Sequence, residues 1–323
     1  KIEHFKKSTI APAISMNAVD IEDEESDCEI KLWLDPTDKT AYYYTEPEKV
    51  YLNTDSSKMF YSKYDEQKIK NILDLDLSNF DTSNVMNMGI MFHGMSSLTS
   101  LNLSNFDTSK VTNMQWIFFG MRSLTTLNLS SFNTSKVTDM SYMFCYMNSL
   151  VNLNLSNFDT SQVTDMAYMF SGVSNLTSLD LSNFDTSQVT DMGAMFSGMY
   201  NLTTLDLSNF DTSKVTNMSQ MFFSMSNLTT LYISNFDTSK VTHMGAMFYL
   251  PYDDISKDKL EKIYVNNDFN TTKLTNFSEM FTNRRNLRGG AGSYLTSPSA
   301  ADKSWLRIDD PANGRPGYFT RKP

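Results

Sequence analysis

Leu179-Asp-Leu-Ser-Asn-Phe-Asp-Thr-Ser-Gln-Val-Thr-Asp-Met-Gly-Ala-Met-Phe-Ser-Gly-Met199 is one copy of the repeat that decides the fold. Its turn phenylalanine belongs to a series, Phe80, Phe106, Phe132, Phe158, Phe184, Phe210 and Phe236, whose members stand 26 residues apart without a slip. A fixed period of this length describes one supersecondary unit stacked on its own copies. It predicts an elongated solenoid in which each unit touches only its neighbours. Such a scaffold presents long continuous surfaces, so binding is the first function to look for.

The unit from Leu98 to Ser123 carries the local logic. Leu98, Leu101 and Leu103 form an L-x-x-L-x-L strand signature that turns Leu101 and Leu103 inward and Asn102 outward, predicting one parallel strand per rung. Phe106 plugs the interior of the following turn, and the short side chains of Asn105 and Asp107 are expected to bond nearby backbone amides. Val111 returns to the core. Thr112 or Asn113 is placed to cap a short helix over Met114–Phe118, with Met114, Ile117 and Phe118 inward and Gly120 ending it.

The expected fold is therefore an α/β repeat solenoid, leucine-rich-repeat-like, with one parallel strand and a short helix per rung. Residues 1–71 read as a lead-in and β-rich cap, with strands at 29–34, 40–45 and 49–52 between Pro-containing turns. Residues 72–286 read as about eight rungs, interrupted by an insertion at 249–259, and residues 287–323 as a looped C-terminal cap. At about 4.8 Å per strand, eight rungs span roughly 35 to 40 Å.

Composition narrows the partners. The 22 Met and 22 Phe mostly occupy the repeating columns and so read as core packing. A net charge of −10 argues against a nucleic-acid or anionic-membrane footprint. No run approaches the 18 apolar residues of a membrane span, and the first residues lack a signal peptide's hydrophobic run, so a secreted protein would be represented here by a processed form. The acidic run Asp20, Glu22, Asp23, Glu24, Glu25 and Asp27 reads as a solvated lead-in. Cys28 and Cys145, far apart in sequence, read as two unpaired thiols, with a disulfide as the alternative.

Catalysis finds no convergent set. His4, His93 and His243 are far apart and read as surface substitutions, and no phosphate loop, nucleophile elbow or H-E-x-x-H pair is present. No cofactor and no metal site is expected. The column Asp81, Asp107, Asp159, Asp185, Asp211 and Asp237 could string carboxylates for cations, but Asn133 replaces one member and the pattern fits a capping turn. The ladder of Thr99, Thr125, Thr177, Thr203 and Thr229 suggests an ice-binding face, but Val151 interrupts it.

The most informative positions vary while the core columns stay constant. The outward position of the expected helix reads Ile90, Trp116, Tyr142, Tyr168, Ala194, Gln220 and Ala246, and Phe119, Tyr146 and Phe223 follow three or four residues later. Trp116, Phe119, Arg122, Tyr142, Tyr146 and Tyr168 thus form a candidate ligand-binding strip with hot-spot composition. The competing reading is that these rings pack over neighbouring rungs.

The Leu179–Met199 unit resembles those of BspA-like leucine-rich-repeat surface proteins of Gram-positive bacteria and mycoplasmas. The segment from Ala41 to Phe60 resembles their lead-in, and the segments Gly289–Asp310 and Pro316–Thr320 resemble their closing segment. The resemblance implies a secreted or cell-surface location and adhesion to a protein or glycan on a host or bacterial surface. With no catalytic set in view, the expectation is a non-enzymatic interaction protein. The alternative is a structural spacer that displays another module of a larger chain.

Overall fold

The computed structural model describes residues 2–21, 29–61 and 70–323. The strands are β1 His4–Lys7, β2 Val19–Asp20, β3 Lys31–Asp35, β4 Thr40–Tyr44, β5 Val50–Tyr51, β6 Asp74–Leu75, β7 Phe80–Asp81, β8 Thr204–Asp206, β9 Thr230–Tyr232, β10 Lys262–Val265 and β11 Phe319–Arg321. They form open sheets ordered β2-β3-β4-β1-β6, β11-β10-β9-β8 and β5-β7, with no closure into a barrel. The cap strands β3, β4 and β5 lie where alternation placed them. β1 was not anticipated, and it joins the cap to the repeats by pairing in parallel with both β4 and β6. The acidic residues from Glu22 to Asp27, and Cys28, lie outside the described residues. Cys145 is a free, buried thiol whose pKa burial pushes up to about 12.

Successive repeats are joined by a continuous series of parallel bridges, Asp55 to Asn87 to Asn113 to Asp139 to Asp165 to Asp191 to Asn217 to His243 to Asn276. This column is the expected helix cap, and here the structure corrects the sequence reading. Among the described residues there is no α-helix; the helical segments are short 3-10 turns, such as Ile14–Met16 and Tyr252–Lys257. In place of the expected helix, the chain after Met114 makes consecutive tight turns. The N–H groups of Ile117 and Phe119 donate to Met114 and Trp116 within the rung. Those of Trp116, Phe118 and Gly120 instead donate to Ser141, Met143 and Cys145 of the next rung, at 3.0, 3.1 and 2.8 Å.

A helix would need all these donors for itself. The stacked repeat offers them carbonyls one rung away, and left-handed residues four apart within a rung, such as Trp116 and Gly120, make the switch. Ile90, Trp116, Tyr142, Tyr168, Ala194, Gln220 and Ala246 all have φ between 52° and 65°. A left-handed side-chain residue costs about 1–2 kcal/mol that glycine avoids. Gln220, exposed with φ 58°, separates the two readings. Gln220→Gly should stabilise the protein by roughly 1 kcal/mol in thermal melts, whereas glycine inside a helix would cost about as much. A lowered melting temperature would refute the turn geometry.

The strand signature is corrected as well. The Leu segments pair as a regular ladder only from β8 onward. Between the rungs at 99–103, 125–129 and 151–155, one backbone bond crosses, from Val151 N–H to Thr125 O at 3.1 Å.

Side chains supply much of the remaining cohesion. The turn threonines are buried and bridge rungs: Thr82 Oγ1 donates to Asp107 O at 2.9 Å and accepts from Asp107 N–H at 2.8 Å. Thr108, Thr134, Thr160 and Thr212 repeat this two-way bond, which only a hydroxyl can make. Asn105 was expected to bond locally. Instead its Nδ2 reaches the previous rung, donating to Leu77 O at 3.0 Å and Phe80 O at 2.8 Å.

Inside, two columns of phenylalanine meet. Phe92, Phe118, Phe144, Phe170, Phe196, Phe222, Phe248 and Phe281 stack face to face with centroids 5.1 to 6.0 Å apart. The turn phenylalanines lean against them, as in the 6.2 Å tilted contact of Phe106 with Phe92. Phe60 extends the ladder into the N-terminal cap and Tyr318 into the C-terminal one.

Candidate functional site

All six residues of the candidate strip come together. The left-handed turn residue of each rung projects from the same corner, so Trp116, Tyr142 and Tyr168 fall on successive rungs and stack face to face. Their centroids are 4.0 Å apart from Trp116 to Tyr142 and 4.5 Å apart from Tyr142 to Tyr168. Phe119 leans on Trp116 at 4.7 Å and meets Tyr146 edge-on at 5.4 Å. Arg122, exposed, sits over the Tyr146 ring with its guanidinium carbon 5.5 Å from the centroid. The strip is an aromatic ridge capped at one side by a cation–π pair.

Two members were missed. His93 stacks on Phe119 at 4.6 Å and lies 5.8 Å from Trp116, and Tyr61 meets His93 edge-on at 5.4 Å. His93 is therefore part of the ridge rather than an isolated surface substitution. Its place one rung before Phe119, in the same column, was the available signal. The other histidines lie elsewhere: His4 pairs with Asp74 at 2.6 Å in the cap, and His243 belongs to the bridge column. Phe223 stacks on Tyr249 at 5.2 Å.

Exposure divides the ridge. Trp116, Phe119, Tyr142 and Tyr168 are half-buried, because each ring covers its neighbour, while Tyr146 is 42% exposed. Burial pushes the Tyr142 phenol up to about 12, so it remains a hydroxyl donor at any physiological pH. Tyr146 is distinctive in its column. Gly94, Gly120, Gly172 and Gly198 hold the equivalent left-handed position, and Tyr146 has φ 59° there. Its ring lies flat across Gly172, where an added Cβ would meet Tyr146 Cδ1 at 2.5 Å. A neighbouring glycine thus makes room for a bulky ring in a conformation bulky residues rarely adopt.

The carboxylates next to the ridge are occupied by their own backbone. Asp139, Asp165 and Asp191 accept the N–H groups of Ser141, Ala167 and Gly193 at 2.9, 2.9 and 2.7 Å. Asp165 titrates above the usual carboxylate range, first because of burial and then because Asp139 and Asp191 flank it. The turn column behaves oppositely. Hydrogen bonds from the Ser two residues on hold Asp107, Asp159 and Asp211 below that range, and Ser83 together with Lys49 brings Asp81 to about 2. These are capping carboxylates, each with an oxygen taken by a turn.

The family model described as "Mycoplasma protein of unknown function, DUF285" matches residues 54–179, 116–205 and 198–307. No curated protein and no solved structure matches the chain. Among the described residues no helix is long and apolar enough to cross a membrane.

Proposed function

This chain belongs to the DUF285 family, and we propose that it is a non-enzymatic interaction protein of a bacterial surface or secretome, built as a leucine-rich-repeat-like solenoid. In this reading the ridge docks a protein or glycan on a host or bacterial surface. The fold part is supported by the 26-residue period and the bridge column that repeats with it. The surface location is supported by the resemblance of the repeat to BspA-like proteins.

One observation carries the binding role: Tyr146, Phe119 and Arg122 converge at the exposed end of a ridge whose other rings hold them in place. Rigid aromatics beside an arginine are the usual anchors of protein interfaces. A spacer role draws support from the ring faces, which Trp116, Tyr142 and Tyr168 spend largely on one another.

The two readings separate on a variant that leaves the scaffold alone. Tyr146→Gly restores the commonest residue of its column and removes the protruding ring. Tested by surface plasmon resonance against purified extracellular-matrix proteins, the parent should bind at least one saturably. Tyr146→Gly combined with Arg122→Ser should weaken that binding tenfold or more without lowering the melting temperature, since glycine relieves the left-handed strain at 146. Parent protein that binds nothing, or a variant that binds equally well, would leave the spacer reading standing.

A further inference from the structure

A second surface lies away from the ridge, where the backbone ladder stops. In the sheet β11-β10-β9-β8, β8 is the edge strand. Its odd-numbered residues face β9, as Thr203 O accepting from Thr229 N–H and Leu207 N–H donating to Tyr232 O show, both at 2.8 Å. Alternation along a strand therefore turns the peptide groups of Thr204 and Asp206 the other way, toward the rung at 177–182. Among the described residues no backbone hydrogen bond crosses from Ser178–Leu181 to Thr204–Leu207. A cleft of about 650 Å³ opens between these two segments.

Its lining is mixed in an instructive way. Leu179, half-buried against the core, forms an apolar floor where the segments part, and the exposed hydroxyls of Ser178 and Thr204 and the exposed carboxylates of Asp180 and Asp206 stand around the opening. Each carboxylate is fixed in direction by its own turn: Asp180 Oδ1 accepts from Ser182 N–H at 3.0 Å and Asp206 Oδ1 from Ser208 N–H at 2.9 Å. Among the described residues no hydrogen bond reaches the second oxygen of either. On the far side Lys322 Nζ donates to Ser208 Oγ at 3.0 Å, which ties the C-terminal strand to the rim.

We propose that this cleft binds a neutral oligosaccharide. The inference rests on the reading of the chain as a binding protein but uses a different surface. A pyranose offers vicinal hydroxyls that donate to directed carboxylates and accept from hydroxyls and peptide N–H groups, and its C–H face suits the apolar floor at Leu179. Sialylated or sulfated chains are disfavoured because the lining carries two carboxylates against the one cation at the rim, Lys322. The same column holds Asp76, then Asn102, Asn128 and Asn154 in earlier rungs and Tyr232 in the next, so only here do two Asp stand on adjacent rungs.

The test is a glycan array printed with neutral hexose and N-acetylhexosamine chains beside sialylated and sulfated ones. At least one neutral chain should be retained and the anionic chains not. Asp180→Asn combined with Asp206→Asn keeps both turns, since Asn already serves in this column, and should weaken retention about tenfold or more by removing charge-assisted bonds. Tyr146→Gly should leave retention unchanged. No retained neutral chain, retention of anionic chains only, or indifference to the Asp pair would overturn the proposal. Failure of the ridge variant in the matrix-protein assay would sink the ridge alone.

Discussion

Asp258→Ala should destabilise the C-terminal end of the protein by about 3–5 kcal/mol, although Asp258 sits in what the sequence presents as an insertion. Its partner Arg284 is fully buried, and their side chains meet at 3.1 Å with 0% and 1% exposure. The guanidinium also closes the open backbone of the last rungs, donating to Phe248 O at 2.6 Å, Met225 O at 3.2 Å and Phe222 O at 3.5 Å. Asp258 in turn accepts the N–H of Asn286 at 3.1 Å. Burial lowers the Arg284 pKa and Asp258 opposes that, so removing the carboxylate strands a desolvated cation. Urea denaturation should show the loss. Asp258→Ala with Arg284→Met should recover most of it, because the charge needing compensation is gone and methionine is the ordinary occupant of that column. A single-variant loss below 1 kcal/mol would mean that water reaches the arginine.

Half of that pair is legible in the sequence. Met95, Met121, Met147, Met199 and Met225 occupy one core column, and Arg284 stands at its end. A charge in an apolar column requires a buried counter-ion, and the insertion at 249–259 supplies it in Asp258. The repeat itself, the turn phenylalanines and the capping role of Asp107 were legible because they rest on spacing and on bonds within one turn. The backbone between Met114 and Gly120 was not. Apolar spacing of three and four is shared by a helix and by paired tight turns, and the choice was made by carbonyls one rung away, which no local pattern records.

The ridge was legible as a column, since Trp116, Tyr142 and Tyr168 recur at the period, but its physical character was not. Only in the folded chain do these rings turn their faces to each other and leave Tyr146 as the protruding one. The cleft at 177–209 was out of reach for a related reason: it depends on where a backbone ladder ends, and the Leu signature is the same on both sides of that point.

Phe196→Ala should be the most disruptive core change in the middle of the stack. Phe196 is 0% exposed and lies between Phe170 and Phe222, with both centroids 5.9 Å away. Truncation removes the transfer energy of the ring and leaves a cavity, together about 3–5 kcal/mol, with a further ~0.5–1.5 kcal/mol for each lost ring pair. Because the repeats are coupled through neighbours, a weak central rung should divide the array rather than lower it uniformly. Hydrogen exchange should then show lost protection around 177–209 while the amides of Met114 to Tyr168 keep theirs. Phe281→Ala, at the end of the ladder, should fray only the last rung and cap. A single transition shifted as a whole by Phe196→Ala would contradict neighbour coupling. The same experiment separates the two surfaces, since the cleft spans the weakened rung and the ridge lies N-terminal to it: Phe196→Ala should abolish glycan retention at temperatures where matrix-protein binding survives.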